Sequence, residues 1–91
     1  MATLTNIGLI HDRVGERQKA LDYYNQAIPI ARNATDRPGE AAILSNMGST
    51  YTELKEMQKA LDCFNQSLTL DRALGNRWGE STALNNIKSC L

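Results

Sequence analysis

Apolar and small residues recur along this chain with the spacing of an α-helix. Leu4, Ile7 and Gly8, with His11 one turn on, fall on one side of a helix of 3.6 residues per turn. This first stripe returns twice, at Leu44, Met47, Gly48 and Tyr51, and at Leu84, Ile87 and Leu91. A second stripe places an aromatic between small residues, at Ala20, Tyr24 and Ala27, and at Ala60, Phe64 and Ser67. Small residues allow two helices to approach closely, so the pattern predicts an all-α protein of packed helix pairs.

Turn and capping residues divide the chain into five predicted helices. Gly15 is suited to a positive φ after the first helix. Asp36 is a good N-cap, and Pro38 suits a first helical turn. The predicted helices are Ala2 to Val14, Arg17 to Ala34, Pro38 to Leu54, Met57 to Leu74 and Trp78 to Cys90.

The chain is internally repeated. Residues 58–66 repeat residues 18–26 with changes at only two places. When the chain is aligned with itself at an offset of about forty residues, roughly fifteen of about forty aligned positions are identical. A third, unfinished copy follows, in which Leu84 and Asn86 align with Leu44 and Asn46. We therefore predict a single domain over residues 1–91, with a first repeat at about 1–36, a second at about 37–76 and a capping helix at about 77–91.

The small, large and aromatic positions of both stripes resemble the tetratricopeptide repeat over nearly the whole chain. The period of about forty residues, where the common form has about thirty-four, is similar to the longer repeats of kinesin light chains. The resemblance implies an α-solenoid of antiparallel helix pairs, with two repeats and a C-terminal capping helix. It also implies a non-catalytic adaptor or scaffold that binds a protein or peptide in a concave groove lined by the first helix of each pair.

The groove face is expected opposite the first stripe, on the polar side of each first helix. The candidate peptide-binding residues are Asn6, Leu9, Arg13, Asn46, Ser49, Glu53, Asn86 and Ser89. An asparagine stands at the centre of all three copies, although it is a mediocre helix former. Similar repeats use such a ladder to bind a peptide backbone, which implies that role for Asn6, Asn46 and Asn86. The alternative is that each asparagine bonds a neighbouring helix and sets the repeat spacing.

Charge and hydropathy argue against two other classes of partner. The formal net charge is zero, whereas nucleic-acid binding usually shows an excess of clustered Lys and Arg. No apolar run approaches the roughly twenty residues that span a bilayer, and the first ten residues lack the pattern of a signal peptide. We expect a cytoplasmic protein that binds neither nucleic acid nor membrane.

Side chains with chemical potential have ordinary interpretations here. His11 occupies the slot of Tyr51 and is expected to be a core or half-buried residue, and no acid, Cys or Ser accompanies it in a catalytic arrangement. Cys63 and Cys90 lack metal-like spacing and are interpreted as unpaired, small apolar residues. We expect no catalytic residue, no metal and no cofactor. Lys19 with Asp22, and Lys59 with Asp62, are interpreted as solvated ion pairs.

A second functional hypothesis is self-assembly without a foreign ligand. Fewer than about three repeats leave an apolar end without a cap. Lys88 replaces Gly8 and Gly48, so the last helix is expected to cap one end, while the other end has no such device. The segment from Glu53 to Met57 lacks Gly and Pro. We therefore predict a homo-oligomer, with exchange of C-terminal helices through an opened hinge at Lys55 as one route.

Overall fold

A computed structural model describes residues 2–91, with side chains from Leu4 onward. Five α-helices follow one another, and residues 2–91 contain no strand: α1 Ala2–Arg13, α2 Arg17–Asn33, α3 Arg37–Glu53, α4 Met57–Leu74 and α5 Arg77–Cys90. Each predicted helix boundary is correct to within one residue. Met1, at which the predicted first repeat begins, lies outside the described residues.

Each helix packs against the one before it, and α1 also contacts α3. The expected all-α solenoid of helix pairs is confirmed. Its core is formed mainly by α2, α3 and α4, and its buried members are Ala20, Leu21, Tyr24, Ala27, Ile28, Ala31, Ile43, Leu44, Met47 and Cys63. The helix α2 continues through Pro29 without ending there.

Glycine at the centre of the first stripe allows each helix pair to close on an aromatic ring. A Cβ at Gly8 would lie 2.6 Å from Tyr24 Cε1, and one at Gly48 would lie 2.7 Å from Phe64 Cδ1. Both distances are far below van der Waals contact, so a larger residue would push the pair apart. Tyr24 and Phe64 are buried between their helices, as the second stripe predicts.

The four turns share one hydrogen-bonding pattern. In the first, Gly15 N donates to Asp12 O and Glu16 N donates to His11 O, and the same two bonds close the other three turns. This double bond is the Schellman motif, which requires a residue with positive φ. From the first turn to the fourth, the residue with positive φ is Gly15 (85°), Thr35 (53°), Lys55 (63°) and Gly75 (69°). Two of the four turns therefore hold a non-glycine residue in a left-handed conformation.

Polar contacts repeat at the junctions between helix pairs. Arg32 Nε donates to Glu40 Oε2 at 2.9 Å, and Arg72 Nε donates to Glu80 Oε1 at 3.1 Å, so each pair joins the end of one helix to the start of the next. The N-caps are similar: Asp36 Oδ1 accepts from Gly39 N at 3.0 Å, as expected, and Asn76 Oδ1 accepts from Gly79 N at 3.1 Å. The same ion pair and the same kind of cap thus occur at both junctions.

The predicted pairs of Lys19 with Asp22 and Lys59 with Asp62 are wrong. Lys19 Nζ instead lies 2.7 Å from Glu16 Oε2, and Lys59 Nζ lies 3.1 Å from Glu56 Oε1. The two glutamates stand at the N-cap positions of α2 and α4, three residues before each lysine. A carboxylate there also interacts favourably with the helix dipole, so this partner is preferred.

Candidate functional site

The polar faces of α1, α3 and α5 carry the residues that the sequence places in a groove. Asn6, Arg13, Ser49, Glu53 and Ser89 are exposed, and Leu9, Asn46 and Asn86 are half-buried. All eight side chains therefore keep some accessible surface. None of them belongs to the buried core, which lies on the opposite side of these helices.

The three asparagines share one property beyond their spacing. Within residues 4–91, the side-chain amides of Asn6, Asn46 and Asn86 have no hydrogen-bond partner in the protein, and the Asn46 carbonyl that accepts from Thr50 Oγ1 belongs to the backbone. An amide group offers two N–H donors and one carbonyl acceptor. These groups are thus available to a ligand or to water, and the bonds to neighbouring helices required by the alternative hypothesis are not observed among these residues.

A cavity of about 220 Å³ opens between the N-terminal ends of α3 and α5, next to the asparagine stripe. Ala42 and Ser45 of α3 form one side and Trp78 and Thr82 of α5 form the other. Ala42 lies four residues before Asn46 and Thr82 lies four residues before Asn86, so the cavity lies on the same helix face as these asparagines. The predicted binding face therefore has a depression between α3 and α5.

Trp78 stands in the first turn of α5, where a tryptophan could either contact a partner or pack against the preceding helix. Its side chain is 84% exposed, so it does not pack against the preceding helix. The residue is the only tryptophan in the chain and lines the cavity. Exposed tryptophan is costly in water and is enriched at protein interfaces.

Glu53 is less free than its place on the groove face suggests. Arg17, at the start of α2, donates from Nε to Glu53 Oε2 at 2.7 Å and has its Nη2 2.6 Å from the same oxygen. Arg17 Nε also lies 4.0 Å from Asp12 Oδ1. The pair links α2 to the end of α3, so Glu53 helps to hold α3 against the first helix pair.

Beneath this pair, two polar groups are enclosed. Tyr24 OH and Asp12 Oδ1 are buried without a hydrogen-bond partner among the described residues. Burial raises the pKa of Tyr24 to about 12, and the negative charges of Asp12 and Glu53 add to that effect. Burial also raises the pKa of Asp12, helped by Glu53 and opposed by Arg17. The Tyr24 phenol therefore stays neutral at physiological pH.

Of the two cysteines, buried Cys63 is held in an unreactive state. Burial, with a smaller contribution from Asp62, raises the pKa of the Cys63 thiol to about 11, so its thiolate is scarce at neutral pH. His11 is half-buried, as expected, and stacks on Tyr23 with ring centroids 5.3 Å apart.

Among the residues described here, no group of three or more His, Cys, Asp and Glu is placed to hold a metal ion. In that same part of the chain, no helix is both long and apolar enough to cross a membrane.

Stacked helix pairs with a polar face along their first helices define a class of interaction module, the helical-repeat proteins. The chain belongs to the tetratricopeptide repeat family, whose model matches residues 1–73. Members of this family generally mediate protein–protein interactions, and their repeats are typically non-catalytic. Among curated proteins, none matches the sequence significantly.

Proposed function

We propose that this chain is a non-catalytic adaptor module that binds an extended peptide segment along the polar faces of α1, α3 and α5. The observation that supports the proposal most is the ladder of Asn6, Asn46 and Asn86, whose amides are accessible and have no hydrogen-bond partner among the described side chains and backbone. An extended peptide carries alternating N–H and C=O groups that such amides can bind without reading side chains. We also propose that the protein is cytoplasmic, as expected from the sequence.

The neighbouring side chains favour a shallow, weakly binding groove. Ser45, Ser49 and Ser89 are small, so a peptide backbone can approach the helices closely. Binding of a peptide's C-terminal carboxylate would require several basic residues, and Arg13 is the only one in the predicted site. This mode of binding is therefore disfavoured. With only three first helices, few contacts are available to offset the entropy of ordering a peptide, and we expect micromolar or weaker affinity.

Selection from a peptide library tests the proposal. The immobilised protein is expected to enrich a defined set of peptides, and Asn46→Ala is expected to lose them. Asn65→Ala is the matched control, because Asn65 is exposed on α4, away from the first helices. Equal enrichment by Asn46→Ala and the unmodified protein would contradict a role for the ladder.

Self-assembly is the second candidate function, and two observations favour it. Lys55 holds a φ of 63° in the turn between α3 and α4, a conformation that opening of the turn would release. Leu84 of α5 is 40% exposed and Leu91, which follows α5, is 90% exposed. Both belong to the stripe that faces a partner helix in α1 and α3. We propose that a second copy covers this stripe, with exchange of C-terminal helices as one route.

Sedimentation velocity at micromolar concentration tests this second candidate. A dimer or larger species that Lys55→Gly converts to monomer would support helix exchange through the α3–α4 turn. A monomer at all concentrations would exclude self-assembly. An oligomer that is unchanged by Lys55→Gly would place the contact elsewhere.

A further inference from the structure

The two junctions between helix pairs carry different residues at equivalent positions of the repeat. At the junction of α3 and α5, Ser67 and Asp71 of α4 line the cavity floor. The residues forty positions earlier, at the junction of α1 and α3, are Ala27 and Ala31, and both are fully buried. The second junction has therefore replaced two methyl groups with a hydroxyl and a carboxylate.

Asp71 is a buried acid without a counter-ion. It is 5% exposed, and its Oδ2 lies 3.4 Å from Ser67 Oγ. The single hydrogen of that hydroxyl is shared with the Ala41 carbonyl oxygen, which lies closer, at 3.2 Å. Over residues 4–91, no Lys, Arg or His nitrogen lies within 4.0 Å of its carboxylate oxygens. A buried carboxylate is costly unless it is paired.

The start of α5 compensates this charge only in part. A Cβ at Gly79 would lie 2.6 Å from Asp71 Cγ, so the carboxylate lies against the first turn of α5. The helix dipole there is equivalent to roughly half a positive charge. However, Gly79 N donates to Asn76 Oδ1 and not to Asp71. The Asp71 carboxylate is therefore not hydrogen-bonded by Gly79 N, although it lies against that turn and lines the cavity.

Size and shape restrict what the cavity can hold. Its volume of about 220 Å³ is below the roughly 300–1,000 Å³ of small-molecule sites, so it suits a single side chain. Trp78 is among the lining residues, and tryptophan is the best aromatic partner for a cation. Arg37 and Arg77 stand next to lining residues in sequence but do not line the cavity.

We propose that this cavity receives a basic side chain, arginine in preference to lysine, from the peptide bound in the groove. The guanidinium group would pair with the Asp71 carboxylate and stack on the Trp78 ring, and arginine is favoured because its planar group can do both. The inference rests on the proposed peptide-binding function and deepens it, since it assigns the groove a specificity for basic sequences.

The cavity can be tested without any peptide. The probe is N-acetyl-arginine amide, and its matched control is N-acetyl-citrulline amide, which has nearly the same shape but no charge. Binding is followed by Trp78 fluorescence and by the backbone amide shift of Gly79 in NMR titrations. We expect saturable binding of the arginine probe in the millimolar range, and binding of the citrulline control weaker by about tenfold or more.

Variants separate a charge effect from a folding effect. Asp71→Asn keeps the shape, and Asp71→Ala installs the residue type of the equivalent position in the first repeat. Both are expected to stay folded by circular dichroism and to weaken the arginine probe by about tenfold or more. Equal binding of the two probes, or unchanged binding to a folded Asp71→Ala variant, would overturn the proposal.

The same titration on Asn46→Ala keeps the two proposals distinct. Asn46 does not line the cavity, so this variant is expected to bind the arginine probe normally while losing selected peptides. Arginine binding that depends on Asp71 supports the cavity whether or not a peptide needs Asn46. Peptide binding that needs Asn46 but shows no preference for basic residues would overturn the cavity and leave the groove intact.

Discussion

The substitution Lys55→Gly is expected to stabilise the protein. All four turns close with the same pair of backbone hydrogen bonds, but only Gly15 and Gly75 are glycines at the residue with positive φ. Lys55 adopts a φ of 63°, where its Cβ crowds the following carbonyl oxygen. No ion pair is formed by the Lys55 side chain within residues 4–91, so its removal has little direct cost.

Two opposing effects set the expected change in the free energy of unfolding. A left-handed conformation costs an L residue about 1–2 kcal/mol, which glycine avoids. Glycine loses more backbone entropy on folding, at a cost of about 0.5–1 kcal/mol. The net gain at Lys55 is therefore about 0.5–1 kcal/mol, or about 2–8 °C in the melting temperature of a domain this size. Thr35→Gly is expected to gain at least as much, because Thr35 is β-branched and has a φ of 53°.

Urea unfolding, followed by circular dichroism, measures these differences. Lys55→Ala is the matched control, since it removes the side chain but keeps the Cβ, and it should change the free energy of unfolding little. Gly75→Ala should lose about 1 kcal/mol from the backbone alone, because a Cβ there would meet no atom within 4 Å. A Lys55→Gly variant less stable than the unmodified protein, with Gly75→Ala neutral, would refute the reasoning.

Three further predictions concern the core and its ionisable groups. Gly48→Ala should lose about 1 kcal/mol in urea unfolding despite its better helix propensity, because its Cβ would lie 2.7 Å from Phe64 Cδ1, and a gain would contradict this packing. Asp12→Asn should stabilise the protein at pH 7. Because the folded state raises the pKa of Asp12, its ionised form is disfavoured there, and the gain should shrink as the pH falls toward 3.8. A gain that is constant from pH 7 to pH 3 would show that ionisation is not its cause. Under native conditions at pH 8, a thiol reagent should modify half-buried Cys90 well before buried Cys63, and simultaneous modification would contradict the packing.

Element boundaries were predictable because their signals are local. Gly15 ends α1 and Asp36 caps α3 through bonds that span a few residues, and the repeat supplies each boundary twice. The helix pairing followed from the stripes, since Gly8 and Gly48 of the first stripe lie against Tyr24 and Phe64 of the second. Local periodicity and turn chemistry thus account for most of the fold.

The cavity was not predictable in the same way. It combines residues from the start of α3, the end of α4 and the start of α5, which no spacing rule brings together. One signal was available in the alignment of the two repeats, where Ala31 becomes Asp71 and Pro38 becomes Trp78. Only the packing shows that both changes occur in one cavity. The partner predicted for Lys19 is also wrong. Glu16 and Asp22 are both three residues from Lys19, but only Glu16 stands at the N-cap of α2.

The side-chain amide resonances of asparagine give the most direct test of the proposed binding face. In a titration of ¹⁵N-labelled protein with a peptide selected by it, the NH₂ signals of Asn6, Asn46 and Asn86 should shift together and saturate with the same Kd. Those of Asn25 and Asn65, exposed on α2 and α4, should stay unchanged. Shifts confined to Asn25 and Asn65, with the three ladder signals unmoved, would contradict the account.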